Sequence, residues 1–253
     1  MNERLFFQWL LLALFAVAAI VFVAPLFMPA PYGRHLRKGW GPKLHPTLGW
    51  VIMESPAILV IALCYILGRP PGNIIPVVFV TMWELHYIQR TFLFPVLLRG
   101  TKRPWPILLI FFALVFNTIN GYLNGRWLFY FSPVYPDAWL MDPRFIIGLE
   151  LFLGGFIINL HSDHVLRNLR APGETGYKIP CGGFFEYVSS ANYFGELVEW
   201  TGWALATWSL AGLAFAIFTA ANLVPRALAH HRWYRAQFPD YPEQRKAIIP
   251  YIL

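Results

Sequence analysis

Apolar runs long enough to cross a bilayer recur along the chain, separated by short polar stretches. LLLALFAVAAIVFVAPLF, near the amino terminus, carries no charge and shows no alternation of apolar with polar positions. A helix needs roughly 20 apolar residues to span the hydrocarbon, whereas an outer-membrane strand shows about ten residues of alternating character. The pattern therefore predicts helices, at about 5–29, 48–68, 74–97, 105–123, 144–164, 191–208 and 210–225. The fold expected is an all-α integral membrane protein with seven transmembrane helices. No internal repeat stands out and the connections are too short for a second folded unit, so residues 1–253 read as one domain. The first run lacks a small-residue cleavage site and is too long for a signal-peptide core, so it is expected to be retained as a helix.

Composition agrees, with 57% hydrophobic and 13% charged residues and a mean hydropathy of +0.50. The basic residues then orient the bundle. Arg34, Arg37, Lys38 and Lys43 fall in the first loop, Arg99, Lys102 and Arg103 in the third, and Arg167, Arg170 and Lys178 in the fifth. Arg226, Arg232, Arg235, Arg245 and Lys246 follow the last run. Arg4, Arg69, Arg126 and Arg144 fall on the opposite side, and Arg90 lies inside a span. Positive-inside loops thus predict a cytoplasmic carboxy terminus and an amino terminus outside. The net charge of +7 is explained by topology and by contact with anionic headgroups or a phosphorylated ligand, without nucleic acid. Cys64 lies in a span and Cys181 in a cytoplasmic loop, so no disulfide is expected between them. Nothing in the chain points to an obligate protein partner.

Ionisable side chains at membrane depth are costly and usually face the bundle interior. Glu54, Glu84, His86, Arg90, Glu150, Asp163, Glu196 and Glu199 all lie in or at the ends of the runs. INLHSDHVLRNLR, residues 158–170, concentrates such groups. Wound as a helix, it sets Asn159, Asp163 and Arg170 within about 40° of one another, with Arg167 on the flank, in a stripe roughly 16 Å long. Amide and acid deep in the span with guanidiniums at its mouth suit a ligand neutral at one end and phosphorylated in the middle, which describes a nucleotide cofactor. NYFGELVEWTGW repeats the pattern with Asn192, Glu196, Glu199 and Trp203 on one face, and two such stripes would enclose a pocket. The intervening loop holds Gly173, Gly176, Gly182, Gly183, Tyr177 and Lys178, and glycine lets backbone approach a ligand closely. RALAHHRWYRAQ adds Arg226, His230, His231, Arg232, Tyr234 and Arg235, a basic and aromatic cluster able to hold an adenosine and its phosphates, or a membrane-surface helix.

Histidines at 161 and 164, and at 230 and 231, raise membrane di-iron chemistry as a rival. Such sites need many converging imidazoles. Here His35 and His45 lie in a loop and His86 in another span, and His161 falls on the face opposite Asn159 and Asp163. No metal site is expected.

NLHSDHVLRNLRAPGETGYKIPCGGFFEYVSSANYFGELVEWTGWALATWS and ALAHHRWYRAQFPDYPEQRKAIIPYIL, with WVIMESPA and LHYIQRTFLFPVLLRG before them, resemble the steroid 5α-reductase family from about Trp50 to Leu253. The resemblance implies a seven-helix membrane reductase that uses NADPH to saturate the Δ4 double bond of a 3-oxo-Δ4 steroid, with membrane lipid as its surroundings. It assigns Asn159, Asp163, Arg170, Tyr177, Asn192, Glu196, Arg226, His230 and Tyr234 to NADPH, and Arg90, Arg99, Arg103 and Lys178 to the phosphates. The amino-terminal spans would serve mainly the substrate, and residues 144–253 mainly the cofactor.

Glu54 and Tyr87 are assigned to the steroid ketone. Hydride delivered to the β-carbon of an enone pushes electrons onto the carbonyl oxygen, so hydrogen-bond donors there stabilise the transition state. Tyr87 is such a donor; Glu54 in an apolar span could stay protonated and donate as well, or orient the tyrosine. Met53 and Gln89 depart from the family pattern and leave substrate range open, since related enzymes reduce polyprenals or enoyl lipids. Two other readings compete: an S-adenosylmethionine-dependent membrane methyltransferase of the isoprenylcysteine type, and a non-catalytic sterol carrier. The first would not need the Glu54 and Tyr87 pair; the second would normally show repeats and interrupted helices. Short loops and compact length lean toward a bacterial inner membrane over an endoplasmic reticulum.

Overall fold

The computed structural model describes residues 2–27, 39–68, 72–98, 104–171, 174 and 176–253. The chain is mostly helical. In order it forms α1 (Glu3–Phe27), a short strand β1 (Lys43–Leu44), α2 (Pro46–Leu67), α3 (Ile75–Ile88), α4 (Phe94–Leu97), β2 (Trp105–Pro106), α5 (Ile107–Arg126), α6 (Pro143–Asn168), α7 (Ala191–Thr207) and α8 (Leu210–Gln237). The strands pair antiparallel, Lys43 with Pro106 and Leu44 with Trp105, and tie the start of α2 to that of α5. Among the described residues five helices, α1, α2, α5, α6 and α8, are long and apolar enough to cross a membrane. Each of the seven expected runs coincides with helix.

Three helices outrun the expected boundaries. Beyond α5 the chain continues as a π-helix, Trp127–Phe131, closed by the Ser132 amide on the Trp127 carbonyl. Helix α6 reaches Asn168, and α8 runs unbroken through Pro225 to Gln237, so Arg226, His230 and Tyr234 stand on that helix instead of in a separate tail. Polar side chains end a hydropathy run without ending a helix. Arg170, placed by sequence on the α6 stripe, falls beyond the end of α6. Pro172 limits how far the helix could have run, since a proline disfavours helical conformation in the residue before it, Ala171. Arg34, His35, Arg37, Lys38, Arg69, Arg99, Lys102, Arg103 and Gly173 lie outside the described residues.

Apolar burial gives little drive between helices in lipid, where packing and hydrogen bonds must hold the bundle. The α6/α7 seam uses glycine. A Cβ on Gly148 would strike Ala206 backbone, on Gly155 that of Glu199 and Gly195, on Gly195 that of Asn159, and on Gly202 that of Phe152. The pairs run in opposite senses along the two helices, so α6 and α7 are antiparallel and in backbone contact over one seven-residue step on each. Beside the seam lies an aromatic core of Trp83, Trp200, Trp203, Phe79, Phe152 and Phe215. Asp142 caps α6, accepting from the Arg144 amide. Hydrogen bonds from the Arg144 guanidinium hold its carboxyl down at about 2.

A buried polar centre between α2, α3, α5, α6 and α7

Two local distortions build the centre. Pro56 has no N–H for the Ile52 carbonyl one turn back; the Ser55 hydroxyl donates to that carbonyl instead, at 3.1 Å. Glu54 sits within this loosened turn. After α3 the backbone widens into a π-helix, Gln89–Leu93, where the Phe94 amide reaches back to the Gln89 carbonyl. Pro95 favours the wider turn, since it cannot donate to the Thr91 carbonyl and would clash with it in a regular helix. The Trp50 indole donates to the Arg90 carbonyl at 2.9 Å.

Arg90 leads from that π-helix into the centre. One guanidinium nitrogen lies 3.3 Å from Asp163 Oδ2 and the other 3.9 Å from Glu196 Oε2. Its face rests on Phe94 and Trp50, at 4.3 and 5.0 Å from the ring centroids. Asn192 Nδ2 donates to Asp163 Oδ1 at 3.3 Å, and Asn159 Nδ2 to the Asn192 carbonyl at 3.0 Å. The two stripes therefore meet each other across the glycine seam. One turn before Arg90, His86 Nδ1 shares a 2.8 Å hydrogen bond with Glu199 Oε1, both side chains fully buried. His86 on α3 and Arg90 on its π extension, spaced i, i+4, thus match Glu199 and Glu196, spaced i, i+3 on α7. Trp203, expected on the pocket face, belongs to the aromatic core.

Tyr87 lies between these two rungs, 4% exposed, its ring packed on Trp83, Trp200 and His86 with centroids 5.0, 5.7 and 5.0 Å away. Glu54 lies in the neighbourhood of Tyr87, Arg90 and His86. Its Oε2 accepts from Asn117 Nδ2 at 3.1 Å. The asparagines of α5 were not singled out from the sequence. Asn117, Asn120 and Asn124, at i, i+3 and i+7 in an apolar run, fall on one helical face and are all buried. That spacing was the available signal.

The remaining expected residues form a second group near the carboxy-terminal end of α6. Arg170 donates to the Gly176 carbonyl at 3.3 Å, and Lys178 pairs with Glu174 at 2.6 Å, which holds the Glu174 carboxyl below its ordinary range. Tyr177 meets the Trp233 ring edge to face, centroids 4.7 Å apart. His230 stacks on Tyr193 at 5.7 Å, next to Asn192, with Arg226 one turn away on α8. Tyr234 is buried against Tyr241, centroids 5.4 Å apart. The first group gathers Glu54, Tyr87, Arg90, Asn159, Asp163, Asn192 and Glu196; the second carries the basic side chains. Arg99 and Arg103 belong to the residues not described.

The chain is thus mostly helical with apolar helices long enough to cross a membrane, and it buries a cluster of hydrogen-bond donors and acids between them. Comparison with known proteins identifies it further. The family model described as 3-oxo-5-alpha-steroid 4-dehydrogenase matches residues 103–253. The 3-oxo-5-alpha-steroid 4-dehydrogenase 1 of Bos taurus is 47% identical over 242 residues, 94% of this chain and 93% of that protein. That of Rattus norvegicus is 50% identical over 230 residues, covering 88% and 86%. The Steroid 5-alpha-reductase DET2 of Gossypium hirsutum is 42% identical over 255 residues, 99% of each. The chain belongs to the 3-oxo-5-alpha-steroid 4-dehydrogenase family, a family of oxidoreductases acting on CH–CH groups. The likeness to the cotton protein extends the match well before Trp50. These relatives come from animals and a plant, so the lean toward a bacterial inner membrane finds no support in them.

Proposed function

We propose that this chain is an NADPH-dependent reductase of the Δ4 double bond of 3-oxo-Δ4 steroids. The observation that carries the reading is the convergence of Glu54 and Tyr87 from α2 and α3 with Asn159, Asp163, Asn192 and Glu196 from α6 and α7, linked through Arg90. The residues suit a dinucleotide. Asn159 Oδ1 is buried without a hydrogen-bond partner among the described residues and offers an acceptor to a carboxamide NH₂. Asp163, Glu196 and Glu199 beside Arg90 and His86 disfavour a pyrophosphate in the interior, so the phosphates are proposed to lie toward Arg167, Arg170, Lys178 and Arg226. Arg90, expected at the phosphates, instead holds Asp163 and Glu196 in place.

When bound, NADPH supplies the hydride. Tyr87 donates to the steroid ketone, and Glu54, in its protonated form, donates as well; both bonds strengthen as charge develops on the oxygen. Trp83, Trp200 and Phe152 keep water from that oxygen. The substrate side is then formed mainly by the amino-terminal spans and the cofactor side by residues 144–253, within a single domain. Detergent-solubilised protein should oxidise NADPH only when a 3-oxo-Δ4 steroid is supplied. Steroid-independent oxidation, or methyl transfer from S-adenosylmethionine, would sink the reading.

We also propose seven spans, counting α3 with its π extension and α7, with the carboxy terminus cytoplasmic. The chain's own thiols test this. Cys181 is exposed and Cys64 is buried in α2, so an impermeant maleimide should label one site, and only from the cytoplasmic face. Labelling from the opposite face would invert the topology.

A further inference from the structure

Trp203 Nε1 can only donate, and it donates to Asn124 Oδ1 at 2.9 Å. That settles which end of the Asn124 amide is oxygen. Its Nδ2 consequently faces Asn120, donating to Asn120 Oδ1 at 3.0 Å and to the Asn120 carbonyl at 3.1 Å. With its oxygen occupied, Asn120 has its own Nδ2 left over; that nitrogen is fully buried, makes no hydrogen bond among the described residues, and is the donor Asn120 has available for the neighbouring Tyr87 hydroxyl. One turn earlier the same logic holds. Asn117 Nδ2 donates to the Met53 carbonyl, an acceptor only, at 2.7 Å and so presents N–H, not oxygen, to Glu54 Oε2 at 3.1 Å.

We infer that the asparagine face of α5 is a directional hydrogen-bond ladder that sets where the protons of Tyr87 and Glu54 point. A phenol can accept and donate at once. If its oxygen accepts from Asn120, its own proton is directed elsewhere, toward the ketone. A carboxyl whose Oε2 accepts from Asn117 likewise keeps its proton on Oε1. Asn117 and Asn120 are positioning residues, acting through the two donors and anchored to the core by Asn124 and Trp203. The inference rests on the reading of Glu54 and Tyr87 as the groups that polarise the ketone.

Asn120→Asp tests it, because it preserves shape while replacing the donor by an acceptor that would draw the Tyr87 proton to itself. Full-length enzyme is assayed with NADPH and a 3-oxo-Δ4 steroid, with and without Tyr87→Phe, alongside melting temperature and NADPH affinity. The single variant should lose about 10–100-fold in kcat, with steroid KM, NADPH affinity and melting temperature near the parent. In the Tyr87→Phe background the same change should cost less than about threefold, since the proton it misdirects is gone. Asn117→Leu should show the same non-additivity with Glu54→Gln. An unchanged kcat in Asn120→Asp, or an equal loss with and without the tyrosine hydroxyl, overturns the ladder. Should Asn120→Asp fail to fold, Asn120→Ser removes the amide in a smaller side chain and carries the same comparison. A parent enzyme inactive on the steroid overturns the functional reading itself, whereas an active parent leaves only the ladder in question.

Discussion

Tyr87→Phe is expected to lower kcat for steroid reduction by about 10²–10³-fold while leaving NADPH affinity near that of the parent. Losing one hydroxyl from a ring held by Trp83, Trp200 and His86 leaves the packing intact, so the change isolates a hydrogen bond. On the proposed mechanism that bond is stronger in the transition state than in the bound substrate, so its loss should appear in kcat more than in KM. Glu54→Gln should behave similarly, and the double variant should be little worse than the poorer single one, since on the proposed mechanism both groups act on one oxygen. Asp163→Ala supplies the contrast. It strips Arg90 and Asn192 of their shared acceptor, and its loss should fall on NADPH affinity. Stopped-flow reduction and cofactor titration separate the two outcomes. An intact kcat in Tyr87→Phe removes the tyrosine from the chemistry, and a loss confined to cofactor binding moves it across the site.

Legibility followed the range of the interaction. Apolar runs report local structure, so every run marked a helix. Their ends were blurred because a helix such as α8 continues through arginines and histidines that hydropathy treats as a stop. The stripes of α6 and α7 were readable from 3.6-residue periodicity, since Asn159, Asp163, Asn192 and Glu196 each lie on a single helix. Their partners were not: Arg90 meets Asp163 across 73 residues of chain, and no pattern on either helix names the other. Two signals were present and unused. Asparagine at 117, 120 and 124 is costly in an apolar run unless its amides are paired, and glycines at 148 and 155 repeat the seven-residue step of those at 195 and 202. Arg170 illustrates the reverse error, where ideal helix geometry was carried past the end of α6 at Asn168.

The glycine step gives the second large effect. Gly154 and Gly155 are neighbours with the same intrinsic helix propensity, yet a Cβ on Gly154 meets nothing within 4 Å, whereas one on Gly155 runs into the Glu199 and Gly195 backbone. Alanine at 154 should therefore be neutral or stabilising by up to about 1 kcal/mol, the ordinary gain over glycine in a helix. Alanine at 155 has no rotamer to relieve the contact, and α6 and α7 must separate. Overpacking of this kind costs about 1–3 kcal/mol, and loss of the close seam puts Gly155→Ala at the upper end, a fall of about 6–12 °C in melting temperature for a chain of this size. The same separation stretches the bond from Asn159 to the Asn192 carbonyl, now 3.0 Å, and draws Asp163 from Asn192. Cofactor affinity should thus fall with stability in Gly155→Ala and with neither in Gly154→Ala. If both variants melt at the parent temperature, backbone contact does not hold the seam. If Gly155→Ala melts lower but binds NADPH as tightly as the parent, the glycines hold the bundle together without setting the geometry of its site.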